Sequence, residues 1–135
     1  VDWGTVGWIP AEQLSEGTLL AIGLTTILRF RPPRLVLLDD LDKALHPVAQ
    51  RDLVQMIRRL ADRARNVQIV ATAHSPFVLD ALKPEVVLVV GSDSPGSSRV
   101  CRLDKHPAWE KKGQYLAAGE FWSAIGEGWV AETPR

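Results

Sequence analysis

Residues 35–38 read Leu-Val-Leu-Leu and run directly into Asp39 and Asp40. A short unbroken Leu/Val run bounded by turn residues fits a parallel strand over about 34–38 buried on both faces, because a strand with one wet face would alternate apolar and polar residues. The charges stand where that strand stops. In open α/β sheets, ligands bind just beyond the carboxyl ends of the strands, so adjacent acids there are placed for a metal ion and its water. Acids also end strands simply to keep a turn soluble or to cap a helix. The functional reading therefore needs support from elsewhere in the chain.

The first support lies at Leu14-Ser15-Glu16-Gly17-Thr18. From Ser15 onward, Leu19, Leu20, Ile22, Gly23, Leu24, Ile27 and Leu28 cover most of a helical surface, which predicts a largely buried helix over 15–29. Ser15 is its natural N-cap. A helix start with a hydroxyl, a glycine and free N–H groups suits an anion, although capping and turning alone also account for Ser15 and Gly17.

The second support is Val67 to Pro76, VQIVATAHSP, where an apolar run over 67–72 reads as another buried strand and Ser75-Pro76 as the start of a helix ending near Leu82. His74 stands between them. An imidazole there can hydrogen-bond a phosphate oxygen or a nucleophilic water, and its charge changes near neutral pH.

In order, LSEGT, LVLLDDLDKALHP and IVATAHSP form a combination more specific than any one of them. It resembles the distal half of the ABC-type ATPase domain, in the branch of RecF-like, SMC-like and OLD-like AAA proteins whose usual text is LSxGT, LLxIDEPExxLHP and xxTTHSP. The likeness covers about residues 10–92 well and continues more weakly to the end, where QYLAAGEFWSAIGEGW looks like the GELW and GE tail of these proteins.

The resemblance implies a role for each matching position. Asp39 would be the Walker B carboxylate holding Mg²⁺, which keeps part of its hydration shell. Asp40 stands where the family has the glutamate that orients or deprotonates the attacking water; the shorter side chain suggests slow hydrolysis or an ATP-gated switch. Leu41 replaces the usual Pro, and Asp42 matches the second acid. His74 would sense the γ-phosphate. Ser15 and Gly17 would form the signature touching ATP on the opposite subunit, and Ala44, Leu45 and His46 the D-loop at the seam. Two domains meeting head to tail complete such a site, so a homodimer is expected.

A phosphate loop GxxxxGK[ST] should come before these motifs, yet none occurs in the chain, which begins at Val1. The expectation is an N-terminal lobe lying upstream, without which this piece neither binds ATP tightly nor hydrolyses it. Its 135 residues, 46% hydrophobic and 24% charged, suffice for a modest core, with apolar surface and a sheet edge left for the absent part to cover.

Sixteen basic and sixteen acidic residues cancel, giving no global drive toward nucleic acid or an anionic membrane. The expected helix over 47–65 places Leu53, Met56, Ile57, Leu60 and Ala64 on one face. Its arginines, Arg51, Arg58, Arg59, Arg63 and Arg65, are interrupted by Asp52 and Asp62 and read as a solvated face rather than a DNA surface. The lone Cys101 fits a reduced, cytoplasmic compartment, and no apolar run near 18 residues suggests a membrane span.

Beyond Leu82, residues 86–90 and 99–103 read as the strands of an edge hairpin with turn residues over 92–98. Trp109, Phe121, Trp122 and Trp129 then punctuate an irregular tail; their acidic neighbours favour packing over base stacking. His106-Pro107 echoes His46-Pro47 by chance and makes no metal site.

The fold class expected is α/β: a partial P-loop NTPase, a three-layer sandwich with a mainly parallel sheet and an antiparallel edge hairpin, its N-terminal lobe missing. Residues 1–103 would be the distal ATPase part and 104–135 a tail packed on it. The implied activity is Mg²⁺-dependent ATP binding and hydrolysis in DNA repair, chromosome maintenance or phage defence, with DNA or a nuclease as possible partner. The alternative is an ATP-gated regulatory or interaction module with little or no hydrolysis.

Overall fold

The computed structural model describes residues 7–43, 45–64, 66–113 and 115–132, with the side chain of Asp93 excepted. Ala44, assigned above to the D-loop, and Arg65 lie outside them. The chain divides into two units, Val1–Ala73 and His74–Arg135.

In the first unit, a 3-10 turn at Ala11–Gln13 leads to α1, Glu16–Phe30, capped by Ser15. The helix stops ahead of Pro32-Pro33, where proline excludes the helical conformation of its predecessor. Next come β1, Leu35–Leu38, α2, Pro47–Ala64, and β2, Gln68–Ala71. Pro47 opens α2 with its φ already helical. Asn66, at φ 68, follows its end in the left-handed conformation that commonly terminates helices.

Strands β1 and β2 pair in parallel, Leu35 with Gln68 through Leu38 with Ala71. The bonding continues past both strand ends, from Thr72 N–H to the Leu38 carbonyl and from Leu41 N–H to the Thr72 carbonyl, each 2.9 Å. Helix α1 packs on α2. Leu24 and Leu28 of α1 and Leu53, Val54 and Ile57 of α2 are buried, and Thr25 Oγ1 donates to Met56 Sδ at 3.5 Å across the seam. Each fully buried aliphatic side chain stabilises the unit by roughly 1.5–3 kcal/mol.

Two expectations about burial are corrected here. The strands are not covered on both faces: Val36, Leu38 and Ile69 are half-buried, whereas Leu37 is 70% exposed and its lateral neighbour Val70 47%. Nor is α1 largely buried. Its covered line is Gly17, Leu24 and Leu28, while Leu19, Ile22, Ile27 and Phe30, elsewhere around the helix, are exposed. Apolar composition shows which residues tolerate burial, but neighbouring elements decide which are buried, and in this unit only one side of each element is covered.

The second unit begins with α3, Pro76–Leu79, capped by Ser75, whose hydroxyl accepts the Phe77 N–H. This helix is shorter than predicted, with turns rather than helix over 80–82. A 3-10 turn at Pro84–Val86 precedes the antiparallel pair β3, Leu88–Ser94, and β4, Ser97–Arg102. The expected seven-residue polar tip contracts to Pro95-Gly96. Proline at the first corner and Gly96 at φ 81 at the second are what a type II turn requires.

Among the described residues, β3 and β4 form a sheet of their own rather than the edge of the parallel one. Val89 of this hairpin, with Val87 and Leu103 just beyond its strand ends, joins a core shared with Ala118, Phe121 and Val130. Those partners belong to the tail helices, α5, Ala118–Ile125, and α6, Trp129–Glu132, which follow the short α4, Trp109–Lys112. Phe121, Leu103 and Val130 are fully buried. Trp109 and His106 meet Phe121 edge to face at centroid distances of 4.8 and 5.3 Å, and His106 meets Trp129 at 4.9 Å. The tail aromatics thus build this core, and Arg99 ties β4 to α6 by donating to the Ala131 carbonyl at 3.1 Å.

Candidate active site

At the carboxyl end of β1, Asp39 and Asp40 sit beside Thr72, the residue after β2. The Thr72 hydroxyl donates to Asp39 Oδ1 at 2.5 Å and accepts the Asp40 backbone N–H at 2.8 Å. Asp40 has φ 50, a left-handed conformation that few residues other than glycine adopt but that aspartate tolerates better than most. Its backbone turns sharply there, closed by Lys43 N–H donating to the Asp40 carbonyl at 3.0 Å. Backbone strain of this kind concentrates at functional sites when the surroundings enforce it.

The Asp40 carboxylate is engaged by the ammonium of Lys43, three residues on. That hydrogen bond, and next the Asp40 charge, hold the Lys43 ammonium above its ordinary value, with Asp39 and Asp42 adding to the effect. Leu41, standing where the family text has proline, is buried. The loop that follows is tied to α2 by Gln50, buried to 7% exposure, whose amide donates to the carbonyls of Asp42 at 3.2 Å and Leu45 at 3.0 Å. His46 precedes α2 and its Nδ1 accepts the Val48 N–H at 3.4 Å, in the manner of a cap.

Ser15 and Gly17 stand at the start of α1. The Ser15 hydroxyl accepts the Thr18 N–H at 3.2 Å and shares a hydrogen bond with the Thr18 hydroxyl at 2.8 Å. Ser15 is exposed and Gly17 buried. His74, exposed, opens the second unit. Of the residues singled out in the sequence, the first unit therefore joins Asp39 with Asp40, through a threonine the sequence reading passed over. Lys43 and Gln50 were also passed over. The signal for Thr72 is the strand register: once Leu38 faces Ala71, the next step along each strand brings Asp39 to Thr72.

The donor chemistry fits a magnesium ion of the kind that nucleotide sites use. Mg²⁺ takes hard oxygen ligands, keeps several waters and needs only one or two carboxylates besides the phosphates. Asp39 supplies such an oxygen at an exposed strand end. Among the described residues no group of three or more His, Cys, Asp or Glu is arranged to hold a metal by itself. None of their helices is long and apolar enough to cross a membrane.

A parallel strand pair carrying acids at its carboxyl end, joined by a helix and flanked by another, defines a mixed α/β domain compatible with part of a P-loop NTPase. Residues 1–80 match the family described as "AAA domain, putative AbiEii toxin, Type IV TA system", and the chain belongs to that family. It is also similar to the Septu protein PtuA of Bacillus thuringiensis, 33% identical over 69 residues. That match takes in 51% of this chain and 17% of the relative, so the chain spans well under half of that protein.

Proposed function

We propose that this chain is the signature and Walker B portion of an ABC-type ATPase domain that binds and hydrolyses ATP as a nucleotide-sandwiched dimer. Residues 1–103 would belong to the ATPase and 104–135 would form its tail. Asp39 would hold Mg²⁺, Asp40 orient or deprotonate the attacking water and His74 contact the γ-phosphate. Ser15 and Gly17 would touch the ATP of the opposite subunit, with His46 at the seam. Bound Mg²⁺ would neutralise phosphate charge during transfer.

The observation that carries this reading is the hydrogen-bonded set of Asp39, Thr72 and Asp40 where the parallel strands end. Membership of the AAA family supports the nucleotide chemistry, and the toxin–antitoxin term in the family's description favours defence over DNA repair or chromosome maintenance. Asp39→Asn in the full-length protein tests it. Mg²⁺-dependent ATP hydrolysis should fall sharply while the melting temperature holds; unchanged turnover would defeat the assignment.

A second reading is favoured by Asp40, which is one methylene shorter than the usual glutamate and engaged by Lys43. In this reading ATP gates dimerisation and partner binding with little hydrolysis. Single-turnover hydrolysis of the wild type beside Asp40→Glu separates the two. Robust wild-type turnover excludes the switch, whereas a large gain in the variant supports it.

A further inference from the structure

We infer that Thr72 is a positioning residue for the metal-holding carboxylate of Asp39, an inference that rests on the ATPase reading above. A threonine hydroxyl has one proton to give and lone pairs to receive. The Asp40 N–H, 2.8 Å away, can only donate, and the Asp39 carboxylate, 2.5 Å away, can only accept. The direction of both bonds is therefore forced, and the hydroxyl rotor is fixed. A hydrogen bond this short to an ionised oxygen belongs to the stronger, charge-assisted class.

The mount of that hydroxyl is rigid as well. Thr72 N–H donates to Leu38, its carbonyl accepts from Leu41, and so its backbone brackets the two acids on either side. One side chain thereby orients the Asp39 carboxylate through Oδ1 and steadies the left-handed turn that carries Asp40. Outer-shell groups that orient a ligating carboxylate act in this way, and their loss typically weakens metal affinity by about 10–100-fold. A threonine that served only to tie β1 to β2 would affect stability and leave metal affinity alone.

The test is Mn²⁺ binding to the full-length protein, read by electron paramagnetic resonance in the presence of a non-hydrolysable ATP analogue, with a thermal melt for each variant. Thr72→Val keeps the branched shape and removes the hydroxyl; Thr72→Ala is a second hydroxyl-free variant should the first not fold. Either should weaken Mn²⁺ binding about 10–100-fold, and Thr72→Ser should restore it. Wild-type affinity in a folded hydroxyl-free variant, alongside a weakened Asp39→Asn, overturns the role of Thr72 and leaves the ATPase reading standing. Loss of affinity in a folded Thr72→Ser also overturns it. Wild-type affinity in Asp39→Asn overturns the metal assignment and the positioning role together.

Discussion

Asp80 Oδ1 accepts the backbone N–H of Gly119 across 2.8 Å, so the N-terminus of α5 is capped by a side chain 39 residues earlier. Ala117, at the N-cap itself, has no side-chain oxygen to offer. The approach that permits this cap depends on the missing side chain at position 119. A Cβ there would collide with the Pro76 carbonyl oxygen and lie 2.7 Å from Asp80 Oδ1. Glycine is thus a packing requirement where α3 meets α5.

Alanine in place of glycine ordinarily stabilises a helix, so the sign of the effect is diagnostic at this position. Gly119→Ala should destabilise the chain by about 2–3 kcal/mol, because the clash is with backbone that cannot swing away. Asp80→Ala should cost about 1 kcal/mol as a lost cap. Urea unfolding followed by tryptophan fluorescence measures both. A neutral or stabilising Gly119→Ala would show that α5 does not dock on α3 in this way.

His106 lies between Phe121 and Trp129, and its Nδ1 accepts the Ala108 N–H at 3.0 Å. Burial first, and the nearby Lys112 charge second, hold its pKa below the ordinary 6.5. With the folded value depressed, the unfolded chain takes up the proton more readily, so stability rises with pH across this range. The contribution of His106 is fully present above pH 6.5 and is lost as pH falls toward and through the folded value. Wild type should therefore lose more stability than His106→Gln between about pH 7.5 and about pH 5.5, read as the shift in urea midpoint. Equal shifts in the two proteins would count against this role.

Gln50 connects the core of the first unit to the acidic loop. Its buried amide satisfies the carbonyls of Asp42 and Leu45, both downstream of Asp39. Gln50→Leu keeps the bulk and abandons those acceptors, which should cost about 1–3 kcal/mol. ATP turnover by the full-length protein should drop as well, through the loop rather than through any contact of Gln50 with nucleotide. Stability lost with turnover unchanged would limit Gln50 to a structural part.

The fold was legible where local chemistry decides it. Ser15, Pro32-Pro33 and Pro47 mark helix boundaries to within a residue or two, and the face of α2 bearing Leu53 and Ile57 is the buried one. Burial was less legible, because Leu19, Ile27 and Leu37 have the composition of core residues yet are exposed among the neighbours this chain provides. The candidate site divides the same way. Asp39 and Asp40 announce themselves at the end of an apolar run, whereas Thr72 joins them only through a register that pairs residues 33 positions apart. Gln50 is a polar residue facing inward from an amphipathic helix, and its partners are backbone carbonyls, which carry no mark in the sequence.

Ser15 allows its structural and functional roles to be separated by one substitution. Its hydroxyl caps α1 by accepting the Thr18 N–H. Aspartate caps at least as well as serine, and its charge suits a helix N-terminus. Ser15→Asp should therefore preserve the melting temperature. If Ser15 touches ATP held by a second subunit, the same carboxylate will repel the phosphates across the seam, and ATP-induced dimers should vanish from light scattering while ATP binding by the monomer persists. Ser15→Ala supplies the opposite pattern, costing about 1 kcal/mol of cap energy with no added charge to block assembly. Dimers that form normally in Ser15→Asp would remove the helix start from the ATP interface and leave Ser15 as a cap alone.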